Sequence, residues 1–120
     1  MKDINVSQSI APPANVPIVY DPTADDLIVD WLAERVRQAI QIVIDAAPRC
    51  GVTLKNIWVE GWESYEEPTR ELVVIPEVGA SDDAVSEFWG ILAEAISALN
   101  QPPPPGAKND DVTIQVSVRW

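Results

Sequence analysis

Two segments with apolar residues at helical spacing, residues 23–47 and 81–99, each lie between strand-like segments, and this alternation limits the fold more than any other feature. Both begin as helices usually do. Thr23 and Ser81 are predicted N-caps, each followed by acidic residues in the first turn, where the helix dipole favours negative charge. Pro48 and Gly51 are predicted to end the first helix. Each helix has one apolar stripe, so each is expected to pack against a sheet.

Four segments have the composition of β-strands: residues 15–20, 53–62, 70–78 and 111–120. The last alternates strictly between apolar and polar side chains, which is typical of a strand with one buried face. Residues 70–78 are apolar on both faces, so this strand is expected to be central and covered on both sides. The first segment is a strand only if the fold accommodates Pro17, which lacks a backbone donor.

The resulting order, β-α-β-β-α-β, is that of the ferredoxin-like split βαβ fold. We therefore expect an α+β domain in which an antiparallel sheet carries both helices on one face, with the first and third strands in its centre. The two halves also coincide in phase, since Asp25 aligns with Asp82 and Ile57 with Ile114, which suggests an internal repeat. Residues 15–120 are expected to form this single domain, and residues 1–14 a flexible or loosely packed N-terminal arm.

The sheet face opposite the helices is expected to be apolar. The phase of the two halves predicts one set of strand residues to face the helices: Val16, Ile18, Ile57, Val59, Val73, Ile75, Ile114 and Val116. The open face then carries a second set: Val19, Trp58, Trp62, Leu72 and Val74. This is more apolar surface than a protein normally leaves in water. We expect a second copy to cover it in a two-fold homodimer, the commonest assembly. The alternative is that the N-terminal arm folds over it.

The charge balance argues against several classes of function. The chain has 8 basic and 19 acidic residues, a net charge of −11, no histidine and one cysteine. Binding to nucleic acid or to an anionic membrane needs lysine and arginine, so neither is expected. Without histidine there can be no histidine-based triad or histidine-containing zinc site, and the lone Cys50 cannot form a disulfide within the chain. We therefore expect a cytoplasmic protein with no cofactor and no metal.

The segment that joins the second and third strands, residues 62–67, is acidic and contains aromatic residues, and we call it the acidic hairpin. It is expected to capture a basic protein partner, with Trp62 and Tyr65 as anchors. Three glutamates would steer the approach of that partner: Glu63, Glu66 and Glu67. The alternative is a solvated acidic turn without a partner.

The acidic residues provide only one candidate for catalysis. Two aspartate pairs lie at the predicted helix starts, where acids are ordinary caps. Glu60, between Trp58 and Trp62, is the best candidate for a carboxylate whose pKa is raised by burial. No catalytic residue is assigned, and we predict a non-enzymatic acidic interaction or regulatory protein that dimerises or binds a partner through the open sheet face and the acidic hairpin. The alternative is an enzyme or small-ligand-binding protein on a dimeric ferredoxin-like scaffold, with Glu60 or Glu63 as a buried carboxylate.

Overall fold

The computed structural model describes residues 16–63, 66 and 69–120, which form a four-stranded sheet packed against helices. The elements in chain order are β1 (Ile18–Tyr20), α1 (Pro22–Asp25), α2 (Asp30–Arg49), β2 (Thr53–Glu63), β3 (Arg70–Gly79), α3 (Asp82–Ser97) and β4 (Thr113–Val116). The predicted α+β class is confirmed. The predicted N-terminal arm, residues 1–14, lies outside the described residues.

The sheet is mixed, so the predicted antiparallel sheet is wrong. Its strands lie in the order β1-β2-β3-β4, with β1 parallel to β2, β2 antiparallel to β3, and β3 parallel to β4. The ferredoxin-like order is therefore not confirmed. A hairpin of two long neighbouring strands, β2 and β3, occupies the centre, and the short strands β1 and β4 are added outside it. The same element order along the chain is compatible with both arrangements, so the sequence pattern could not separate them.

Each parallel pair of strands is joined by a helical crossover. α2 and α3 contact each other and pack on the same face of the sheet. The pair β1–β2 runs antiparallel to the pair β3–β4, and the four strands lie across the sheet in the same order as along the chain. Under these conditions the two crossovers must have opposite hands, although almost all such connections in proteins are right-handed. The two halves therefore cannot be superposed as repeated units.

The first predicted helix is interrupted near its start. The Asp21 carboxylate caps α1 by accepting a hydrogen bond from the Thr23 backbone N–H at 3.0 Å, so the predicted cap Thr23 is a donor within the first turn. Val29 has extended backbone angles and separates α1 from α2. The helix runs two residues past the predicted end at 47, to Arg49, so Pro48 lies in its last turn instead of stopping it. Gly51, the second predicted stop, follows the helix with φ of 67°. Ser81 caps α3 as predicted.

The core lies between the helices and one face of the sheet. Ile57 and Val59 of β2 face the helices as predicted, and both are fully buried. In β3, however, Leu72 and Val74 belong to this core, while Val73 is on the opposite face. The predicted facing of β3 is therefore wrong by one residue. Because this strand is apolar at successive positions, its sequence has no alternation that could fix its register.

Candidate partner-binding site

The face of the sheet away from the helices is built from alternate residues of β2 and β3. Trp58 pairs with Ile75, Glu60 with Val73, and Trp62 with Glu71. Val73 and Ile75 are buried to 1% and 0% exposure, although the helices lie on the other side. The centre of this face is therefore covered, and only its margins are accessible.

Glu60 organises the polar groups on this face. Its Oε1 accepts a hydrogen bond from the indole N–H of Trp62 at 3.0 Å, and its Oε2 lies 3.5 Å from a guanidinium nitrogen of Arg119. Arg119 follows β4 and pairs with Glu77 of β3, so the Glu60–Arg119 ion pair reaches across β3. Both carboxylate oxygens of Glu60 are thus engaged in holding neighbouring side chains.

Several predicted partner-binding residues are accessible at the margins of this face. Trp62 is 42% exposed and Val19 is 37% exposed, while Trp58 is half-buried. Glu63, at the end of β2, and Glu66 are exposed in the acidic hairpin. Val19, Trp58 and Trp62 therefore lie on the face away from the helices, as predicted, and their role in binding remains a prediction.

Two other predicted residues, Leu72 and Val74, do not contribute to the accessible face. Leu72 and Val74 point toward the helices and are fully buried, so they cannot contact a partner in this fold. Tyr65 and Glu67 lie outside the described residues.

The base of the acidic hairpin is fixed by Arg70, the first residue of β3. Its guanidinium donates to both carboxylate oxygens of Asp111, with Nε at 2.8 Å from Oδ2. These hydrogen bonds hold the pKa of Asp111 below its usual range. The neighbouring Asn109, at φ of 59°, donates from its side chain to the carbonyl of Leu27 at 2.9 Å. The hairpin is thereby attached both to the segment that leads into β4 and to the loop between α1 and α2.

The two edges of the sheet were not distinguished by the sequence pattern. At the β4 edge, Asn100 donates to the carbonyl of Ile114 and accepts from its backbone N–H, both at 2.9 Å. At the β1 edge, Ile18, Val19 and Tyr20 are 38%, 37% and 41% exposed. The predicted burial of Ile18 against the helices is therefore wrong. The flanking Pro17 and Pro22 were the available signal, since prolines commonly bracket edge strands.

The described residues offer little for metal or acid–base chemistry. Within them no group of three potential metal ligands converges, and no polar or charged side chain is fully buried. Burial, supported by the charge of Glu87, raises the pKa of the Cys50 thiol, which disfavours the reactive thiolate. None of the helices in this part of the chain is long and apolar enough to cross a bilayer.

Comparison with known proteins found no matching family model, curated protein or solved structure.

Proposed function

We propose that the protein is a non-enzymatic acidic interaction protein that binds a basic protein partner at the margin of its open sheet face. The observation that supports this most is the state of Trp62. Its ring is 42% exposed, yet its indole N–H is held by Glu60. A large aromatic side chain that is both accessible and fixed loses little conformational entropy when it enters a partner's pocket.

The charge around Trp62 favours a basic partner over a second copy of the chain. Glu63 and Glu66 are exposed close to it in sequence, and the net charge of the chain is −11. Acidic surfaces accelerate the approach of basic proteins and repel identical chains. A homodimer through the same face, predicted from the sequence, is the competing mode of assembly.

The test uses tagged protein recovered from the cells that make it, followed by native mass spectrometry. Ile91 of α3 is exposed to the same extent as Trp62, 42%, and provides a matched control. We expect wild type and Ile91→Asp to retain the same basic protein in one-to-one ratio, and Trp62→Asp to lose it. A mass of twice the chain that Trp58→Asp returns to monomer would replace this proposal with the homodimer.

The enzymatic alternative has no supporting observation among the described residues. It requires a carboxylate buried beside an apolar pocket, whereas Glu60 retains 25% side-chain exposure and is engaged by Trp62 and Arg119. Glu60→Ala removes the acceptor of the Trp62 indole N–H and is therefore expected to alter the position of Trp62 and to weaken partner binding.

A further inference from the structure

The backbone of β1 leaves one side of the strand unpaired. Pro17 O accepts a hydrogen bond from the Ile57 N–H, and the Asp21 N–H donates to Val59 O, both at 2.9 Å. The backbone N–H and C=O groups of the odd-numbered residues in this segment therefore point toward β2. Strand geometry then directs the N–H and C=O groups of Ile18 and Tyr20 away from β2. In the described part of the chain these four groups form no hydrogen bond, and they lie in an exposed segment.

Two apolar depressions flank this free edge on the helix side. One, of about 350 Å³, is lined by Tyr20, Ile28 and Val36 among others, and the second, of about 310 Å³, by Val16 and Ile44 among others. Val16 and Tyr20 are separated by roughly 13 Å along an extended strand. An added strand would therefore place apolar side chains that are four residues apart into the two depressions.

The charges at this edge favour an added strand that carries basic side chains. Asp21 directly follows β1, and its hydrogen bonds from Thr23 hold its pKa below the usual range, so it is ionised at neutral pH. Asp25 lines the larger depression. The one basic residue there, Arg37, is paired with Glu34 at 2.6 Å. The edge thus presents uncompensated negative charge to its occupant.

We propose that the free edge of β1 binds an extended, lysine- or arginine-bearing segment of a partner protein by β-strand addition. The main-chain groups of Ile18 and Tyr20 supply the pairing, the two depressions take alternate apolar side chains, and Asp21 and Asp25 attract the basic ones. This surface is separate from the one around Trp62, and the proposal stands whether or not that surface binds a partner. A second copy of this acidic chain is disfavoured by charge repulsion.

The first experiment titrates the full-length protein with an alternating lysine–valine heptapeptide and follows the amide signals by NMR. We expect shifts centred on Ile18 and Tyr20 and slower hydrogen exchange at these two amides. The same peptide with N-methylated alternate amides cannot pair, and a glutamate–valine peptide has the wrong charge, so both should bind at least about tenfold more weakly. Equal binding by the N-methylated peptide, or shifts centred on Trp62, would overturn the proposal.

The second experiment compares protein variants with the same peptide. Ile18→Lys places a repelling charge on the edge, and Tyr20→Pro removes one outward N–H without removing a bond to β2. Both should weaken binding about tenfold, whereas the matched control Ile91→Lys should stay within about twofold. Sedimentation equilibrium tests the competing occupant. A wild-type dimer that Ile18→Lys dissociates, or peptide binding that requires removal of residues 1–14, would show that the edge belongs to another copy or to the chain's own N-terminal segment.

Discussion

The two outer strands of the sheet both pair in parallel with an inner strand, yet their free edges are treated differently. At the β4 edge, the side chain of Asn100 satisfies both polar groups of Ile114, as a neighbouring strand would. At the β1 edge, no described residue does the same for Ile18 or Tyr20. Unpaired edges attract other strands, and proteins commonly block them. The contrast shows that this chain caps the outward polar groups of Ile114 in β4, whereas those of Ile18 and Tyr20 in β1 have no partner among the described residues.

The largest effect is expected where the closed edge is opened. Asn100→Ala removes the partners of the Ile114 N–H and C=O, and Ile114 is fully buried. We expect a loss of about 3 kcal/mol in the free energy of unfolding, because buried polar groups without partners are costly. Urea unfolding measures it. Gln115→Ala, at an exposed site of the same strand, is the control and should change stability little. An Asn100→Ala loss no larger than the control's would mean that the edge is not closed by this amide.

A smaller effect is expected where the β1 side is attached to the sheet. A Cβ at Gly61 would collide with the carbonyl of Thr23 and lie 2.9 Å from a Leu27 methyl carbon. Gly61→Ala should therefore cost about 2 kcal/mol and speed hydrogen exchange in β1 more than in β4. Gly90→Ala in α3 meets no atom within 4 Å and should be neutral or stabilising. If Gly61→Ala accelerated amide hydrogen exchange equally in β1 and β4, Gly61 would not specifically hold the β1 side of the sheet.

The ion pair at the start of β4 should have a third, pH-dependent effect. Asp111→Asn is expected to cost about 1 kcal/mol at pH 7, because Arg70 and Asp111 are hydrogen-bonded but about one-third exposed. The folded-state pKa of Asp111 is lowered, so its contribution is present above the usual carboxyl range near 4 and is lost as the pH falls through the folded-state value. Urea titrations at pH 7 and at about pH 3 should show the gap between wild type and variant narrowing. If the difference in free energy of unfolding between wild type and Asp111→Asn were the same at both pH values, the stabilisation would not depend on the ionised Asp111 carboxylate.

The smallest effect on stability is expected at the open edge itself. Ile18→Lys should change the free energy of unfolding by less than about 0.5 kcal/mol, because Ile18 is already 38% exposed. Thermal unfolding of this variant and of Ile91→Lys should agree closely. A much larger loss for Ile18→Lys would show that this side chain is packed, and that the edge is less accessible than its exposure indicates.

Local patterns in the sequence were sufficient to predict α3, most of α2 and the inward residues of two strands. Ser81 caps α3, and Ile57 and Ile114 face the core as their alternation indicated. These features depend on residues within one element, so a short stretch of sequence determines them. Trp58 and Trp62 were placed correctly on the face away from the helices for the same reason.

Features that depend on distant residues could not be predicted in this way. The register of β3 was missed because Leu72 and Val73 are both apolar, and the strand order was missed because alternative pairings share one element order. Asn100 has no distinguishing pattern in the sequence, since its role depends on a strand that begins more than ten residues later. The sequence therefore indicated a candidate surface on the sheet face, whereas the free edge of β1 was not predicted from it.

The outward position of β1 also has a consequence in time. During synthesis β1 leaves the ribosome before its partner β2, and all of α1 and α2 must be made between them. At about 5–20 residues per second, this strand waits for seconds before β2 can pair with it. β2 and β3 are separated by only a short turn and can pair soon after both have emerged. Nascent chains are therefore expected to expose the same apolar strand that remains accessible in the folded protein, so a partner that recognises β1 could engage it before folding is complete.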